Sequence, residues 1–480
     1  MTQRSLLFTA ALASILGAAV RPASAQQNTL PAAVRSLARD VFQQLIEINT
    51  SHSVGSTTVA AEAMRKRLLE AGFPAKDMVV AGPDDRHGNL VVRYRGKPGS
   101  VKKPVLVIGH LDVVEARRED WTTDPFQFVE KDGFYYGRGT QDMKDSDAAF
   151  IVSFIALKSE GFVPDRDIVL ALTADEEGGT HNGVDWLLRN RRDSIDAEFA
   201  LNPDSGGLTT EKGKPGYLGV EATEKLYADF RLTVTNPGGH SSIPPRENAI
   251  YRLSAALERL AVYDFPFELN AVTRAYFQAL AGTKTGQTAA DMRAIAATPP
   301  DMAGAARLSA DPVYNSTMRT TCVATILNAG HAPNALPQRA EANVNCRILP
   351  GHTPGEVRRQ LEALFADPLV KVELVADSGI NSGENEVSVT PPPLNHEVFD
   401  ALRKVTAEMW PGTPVIPEME TGASDSKITM AAGIPSYGFS GMGIDQDDDR
   451  AHGRDERLGV ESYYAGVEFT YLYLKALTGR

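Results

Sequence analysis

Residues 168–179 read Ile-Val-Leu-Ala-Leu-Thr-Ala-Asp-Glu-Glu-Gly-Gly, an apolar run that breaks at once into three acids and two glycines. Six residues without polar alternation are few for a helix and suit a strand buried on both faces. Strand-like runs also lie at Leu90–Tyr94, Val105–Ile108 and Phe199–Leu201. Apolar residues at helical spacing mark Pro31–Ile48, Val59–Ala71 and Ile151–Ser159. Strands alternating with helices predict an α/β domain whose mixed, largely buried sheet is flanked by helices. In such sheets ligands collect at the carboxyl ends of strands. His110 follows Val105–Ile108, Glu176 and Glu177 follow Ile168–Thr173, and Asp204 follows Phe199–Leu201.

Those strand ends carry chemistry. His110, Asp142, Glu177, Asp204 and His452 are two imidazoles and three carboxylates, enough to hold a pair of divalent cations with one carboxylate bridging. Glu176 is then left without a metal and free to take a proton from a water. Asp112, two residues beyond His110, can accept the other imidazole N–H and fix the tautomer. Asp142 follows the turn Gly137-Arg138-Gly139 and precedes a helix, where a helix cap and a metal ligand are compatible readings. Asn-Pro-Asp at 202–204 is also a turn signal, and His452 sits in a run of charges that by itself reads as an exposed loop. His87 and His181 complete no ligand set, and His52, His331, His352 and His396 read as turn or surface residues.

The pattern changes after residue 223. Leu226–Thr235 alternates as a half-exposed strand, followed by a helix at Ala249–Val262, strands at Thr320–Ile326 and Ala340–Ile348, a helix at Pro354–Ala366 and a strand at Val370–Val375. Strand–helix–strand–strand–helix–strand is a ferredoxin-like order. An Ala-, Thr- and Pro-rich insertion at about 264–318, which reads as mostly helical or irregular, interrupts it, with no evident role. From about Glu384 helix and strand alternate again, through Glu397–Met409, Lys427–Ala432 and Pro435–Phe439 to a helix at Val460–Leu477. His452 lies in that part and must join His110. The chain therefore divides into a discontinuous catalytic domain, 26–223 with 384–480, and an inserted α+β domain, 224–383.

The chain has 480 residues, more than one core accommodates, and a formal net charge of −12. Arg4, the apolar stretch Leu6–Val20 and Ala23-Ser24-Ala25 form an export signal over residues 1–25. Its cleavage removes Arg4 and Arg21 and takes the charge from −12 to −14. An acidic surface argues against nucleic acid and anionic membranes as partners, and no later run suggests membrane insertion. Cys322 and Cys346 lie on neighbouring strand-like segments, either as a disulfide or as two buried thiols.

Several strings together resemble the M20 family of cocatalytic metallopeptidases: G-H-L-D-V-V with W-T-T-D-P-F downstream, D-G-F-Y-Y-G-R-G-T-Q-D-M-K, T-A-D-E-E-G-G, N-P-G-G-H-S-S-I-P, N-A-L-P-Q and A-H-G-R-D-E-R. The resemblance covers the chain beyond residue 25, apart from the insertion. It implies one zinc held by His110, Asp142 and Asp204 and a second by Asp142, Glu177 and His452, with cobalt or manganese as alternatives. It further implies that a metal-bridging water attacks an amide carbonyl while Glu176 serves as general base and then general acid. The inserted domain is similar to the family's lid and dimerisation domain, which implies a homodimer in which His240 reaches the partner's site and stabilises the oxyanion. Asn334 and Arg347 match lid positions that engage a substrate carboxylate, Arg347 otherwise being a surface salt-bridge residue. Gly422 and Ser424 resemble a substrate-binding turn, Ser424 otherwise being a helix cap. The implied activity is carboxypeptidase S-like hydrolysis of short peptides. The alternatives are hydrolysis of N-acyl amino acids, or an inactive homologue that only binds peptides.

Overall fold

The computed structural model describes residues 30–375, 383–386, 393–445 and 447–479. The expected export signal lies outside the described residues. Six strands form one mixed sheet in the order Met78–Ala81, Asn89–Tyr94, Ile168–Thr173, Val105–His110, Phe199–Leu201 and Ser436–Tyr437. The last four run parallel and the first two pair antiparallel.

Side chains of successive residues on a strand point to opposite faces, and here the two faces enter different cores. Val105, Val107, Leu170 and Leu172 join a cluster with Phe42, Phe154, Val467 and Tyr473. These come from the helices Ala32–Glu47, Lys144–Ser159 and Val460–Thr478. Leu106, Ile108, Val169 and Ala171 join Val184 and Leu187 of the helix Gly183–Asn190. With both faces dry, charged side chains have no place along the central strands and collect beyond their ends.

The inserted region forms a four-stranded antiparallel sheet in the order Thr321–Ala329, Arg339–Ile348, Leu226–Thr235 and Lys371–Leu374. Helices Ala249–Ala261 and Pro354–Phe365 cover one face, giving the ferredoxin-like arrangement. Cys322 and Cys346 stand opposite each other across two strands and form a disulfide, which decides between the two alternatives.

One sheet was not anticipated, and the helical reading of the insertion holds. Val415–Glu420 runs parallel to the long strand Lys214–Glu224 in a separate sheet with Gly207–Glu211 and Ile444–Asp445. That long strand leads through buried Lys225, whose Nζ donates to Arg319 O at 2.8 Å, directly into Leu226–Thr235. The insertion folds into four helices, Ala271–Leu280, Gly286–Ala296, Met302–Leu308 and Pro312–Thr317. Their apolar faces share a core with Ile416. The segment is thus packed against the sheet containing Val415–Glu420.

Candidate metal centre

Parallel register sets the site. His110 pairs with Thr173 and Val107 with Leu201, so the residues that follow these strands emerge at one edge. His110 is buried, with Nε2 3.1 Å from Asp142 Oδ1 and 3.6 Å from Asp204 Oδ1. The other oxygen of Asp142 lies 3.0 Å from His452 Nε2, and that nitrogen lies 2.9 Å from Glu177 Oε1. Asp142 therefore presents one carboxylate oxygen to each imidazole. Ligand atoms of His110, Asp142 and Glu177 lie within 4.8 Å of one another, as do those of His110, Glu176 and Asp204. All five expected ligands and Glu176 meet in one place.

Asp112 acts differently from expectation. His110 Nδ1 meets the backbone carbonyl of Asp112 at 3.0 Å, and the carboxylate stands 3.8 Å away. A carbonyl can only accept, so Nδ1 carries a proton and the ring is held with Nε2 facing the cluster. The Asp112 carboxylate instead accepts the backbone N–H groups of Glu176 at 3.2 Å and Glu177 at 3.0 Å. It fixes the loop that presents both glutamates.

Three residues were missed at the sequence level. Glu456, in the run that reads as an exposed charged loop, is fully buried, which corrects that reading. Its carboxylate accepts from the backbone N–H groups of Gly139, Gln141 and Asp142 at 3.1, 2.7 and 3.3 Å. Arg138 donates to Glu456 at 2.6 Å and to the carbonyls of His452 and Gly453 at 3.3 and 2.9 Å. This buried pair clamps the Asp142 turn to the His452 loop, segments more than 300 positions apart in sequence. The adjacency of Gly-Arg-Gly to Asp142 and of Glu456 to His452 was the available signal. Asp425, also buried, accepts from Asn182 Nδ2 at 2.6 Å and is pushed up to about 7 by burial, with the nearby Asp204 and Asp112 charges adding to the rise.

The electrostatics select cations. Burial drives the Glu176 carboxyl well above its ordinary range, and the charges of Asp204, Asp425 and Glu177 drive it further. Burial also opposes ionisation of Asp142, yet hydrogen bonds from His110 and His452 outweigh it and hold its carboxyl well below the usual range. Those same bonds to Asp142 and Glu177 raise His452 to about 10. Carboxylates crowded around two imidazoles, with ligand atoms 2.9 to 3.6 Å apart, repel one another unless positive charge lies among them. The donor set fits two divalent cations of the zinc, cobalt or manganese kind.

Among the described residues, none of the remaining expected residues hydrogen-bonds to this cluster. His240 is on the exposed strand Gly239–His240, paired with Ala335–Leu336, and its Nδ1 accepts from Ser242. Asn334 lies beside it, its carbonyl accepting from Ser241 N at 3.2 Å. Among the described residues Arg347 has no surface salt bridge; its guanidinium lies 4.5 Å over the Tyr227 ring. Gly422 N donates to Glu420 at 2.7 Å. Ser424 faces the interior, bonded to Glu224 and accepting from Ser426 N, while the N-cap of the helix Ser426–Ala431 is Asp425, so Ser424 is not the cap.

Residues 106–476 match the family described as peptidase family M20/M25/M40. Over 397 residues the chain is 30% identical to "Probable carboxypeptidase S-like 2" of Dictyostelium discoideum, covering 81% of this chain and 74% of that one. It is 26% identical over 444 residues to the N-fatty-acyl-amino acid synthase/hydrolase PM20D1 of Mus musculus, covering 90% and 85%. Its fold is similar to an M20 family metallo-carboxypeptidase from Sulfolobus solfataricus, with a TM-score of 0.67 at 17% identity over 93% of this chain and 99% of that one. It is also similar to a dinuclear metal binding peptidase of the same family from Bacillus subtilis, with a TM-score of 0.58 at 13% identity over 93% and 99%. With an aspartate set between two histidines at the strand ends and a family match over most of its length, the chain belongs to peptidase family M20/M25/M40 and is a hydrolase acting on amide bonds.

Proposed function

We propose that the protein is an exported two-zinc exopeptidase that releases the carboxyl-terminal residue of short peptides. The observation that carries this reading is Asp142, whose two oxygens face His110 and His452 at 3.1 and 3.0 Å. His110, Asp142 and Asp204 would hold one cation, and Asp142, Glu177 and His452 the other. When bound, the cations would supply Lewis acidity and lower the pKa of an attacking water. Glu176 takes the proton of that water at its carboxylate and passes it to the leaving nitrogen. Burial supports this role, since it raises the carboxyl toward the range where it can both accept and return a proton. Asp112 and the Arg138–Glu456 pair hold the three loops in place.

Recognition of a free carboxylate is assigned to Arg347. Stacking on Tyr227 fixes the guanidinium plane, and among the described residues no acid lies within ion-pair distance of it. A planar fork of donors suits a carboxylate. His240 is exposed on the same inserted region, which suits donation to the oxyanion in a partner subunit. The edge strand Thr321–Ala329 exposes Val323, Ile326 and Leu327, a surface fitting a homodimer. The disulfide and the leader-like residues 1–25 support a periplasmic or secreted location.

The second reading, hydrolysis of N-acyl amino acids, is favoured by likeness to the N-fatty-acyl-amino acid hydrolase and uses the same centre. Turnover on dipeptides, amino-blocked peptides and N-acyl amino acids tests both. Release of the terminal residue from peptides, lost when the terminal carboxylate is amidated, is expected. Hydrolysis confined to N-acyl amino acids overturns the peptidase reading, and no hydrolysis by zinc-loaded protein overturns both.

A further inference from the structure

Three histidines that complete no set in the sequence come together at the residue preceding Glu176. His52, His87 and His181 arrive from three separate loops and surround Asp175. His52 Nδ1 and His87 Nε2 stand 4.0 and 3.7 Å from Asp175 Oδ1, and His181 Nδ1 stands 3.8 Å from Oδ2. These separations are too long for hydrogen bonds. Ligands bound at about 2.0–2.1 Å to a tetrahedral ion lie roughly 3.3 Å from one another, so each imidazole needs to close on the Asp175 carboxylate by about half an ångström to share one. Ligand atoms of His52, His87 and Asp175 all lie within 4.8 Å of one another.

The surroundings are those of a ligand set. Asp84 meets His87 Nδ1 with both oxygens at 2.8 Å, which places the proton on that nitrogen and leaves Nε2, facing Asp175, with its lone pair. Asp84 is itself held to about 2, chiefly by the backbone N–H of Arg86. The Asp175 side chain is 2% exposed and its φ is 56°, a left-handed conformation costly for a residue other than glycine. Gly179, with φ 107°, keeps the space open: a Cβ there would fall 2.5 Å from Asp175 Oδ2 and 3.0 Å from His52 Cε1. Among the described residues the Asp175 carboxylate accepts one hydrogen bond, from His181 N at 3.3 Å.

We infer that His52, His87, His181 and Asp175 form a third divalent-cation site, separate from the Asp142 centre and taking a transition ion of the zinc or cobalt kind. Three imidazole nitrogens and one carboxylate favour such ions over calcium or magnesium, which take oxygen. The ion ties three loops to the residue beside the general base.

Metal counting on chelator-stripped protein reloaded with zinc tests the site. Wild-type protein should hold three equivalents per chain, H87A/H181A two, H110A/H452A one, and the fourfold variant none. The H110A/H452A background separates this site from the Asp142 centre, so the two readings fail independently. Equal zinc in wild type and H87A/H181A overturns the inference. Should H87A compromise folding, H181A suffices, since its ring is 41% exposed. Cobalt titration should then show visible absorption from the third equivalent that H181A removes, and an identical spectrum overturns the site.

Discussion

The six-stranded sheet and the inserted four-stranded sheet solve the same burial problem in opposite ways. The first is covered on both faces, every residue of Val105–His110 and Ile168–Thr173 being buried. Its polar chemistry is pushed to the strand ends, where parallel register gathers it. The second is covered on one face, so Arg347, Asn343 and Asp229 sit mid-strand on the other. Its edge strand alternates little and is mostly exposed. A closed sheet concentrates ionisable groups into a reacting centre, whereas an open one distributes single polar anchors over a docking face.

The sharpest break in this contrast is at the strand ends. Glu176→Gln should lower kcat by about 100- to 10,000-fold while metal content stays unchanged by elemental analysis. Near-normal turnover would remove Glu176 from proton transfer. Next in size is the clamp. Arg138→Met leaves the Glu456 carboxylate buried without its guanidinium and should cost about 3–5 kcal/mol in denaturant unfolding, as broken buried ion pairs do. A change within experimental error would show that the three backbone N–H groups suffice.

Proton linkage probes the same centre more gently. In the metal-free protein His452 is raised to about 10, so it is protonated at pH 7, and His110 is raised in the same direction by its bonds to Asp142 and Asp204. The raised values mean that their protonated pairing stabilises the metal-free fold fully below pH about 6.5. The His452 part is lost as pH rises through about 10. Metal competes with those protons, so loading should release them and affinity should climb as pH rises across that window. Calorimetry in buffers of different ionisation enthalpy measures the count, and no release would contradict the ligand assignment. The smallest effect on the fold belongs to the open sheet. Val323→Asp with Leu327→Asp should change protomer stability by no more than about 0.5 kcal/mol, yet shift sedimentation from dimer to monomer. An unchanged sedimentation coefficient would place any dimer contact elsewhere.

Legibility in the sequence followed the same physics. Central strands show as short apolar runs because both faces are dry, and Leu226–Thr235 shows by alternation because one face is wet. His110, Glu177 and Asp204 were readable as candidates because each ends or follows such a run, whereas Asp142 and His452 were singled out by the motifs around them. Strands Lys214–Glu224 and Val415–Glu420 escaped because Lys214, Glu221, Glu224, Glu418 and Glu420 mask their apolar positions. Glu456 and Asp425 escaped because a buried acid in a loop looks like a solvated one until its donors are in view. His52, His87 and His181 escaped because long separations in sequence hide a convergence that only the folded loops create.

Diffraction at the zinc absorption edge from crystals of metal-loaded protein tests the central claim most directly. The account predicts two anomalous peaks flanking the Asp142 carboxylate, one on the His110 side and one on the His452 side. A single peak, or none touching Asp142, would contradict it.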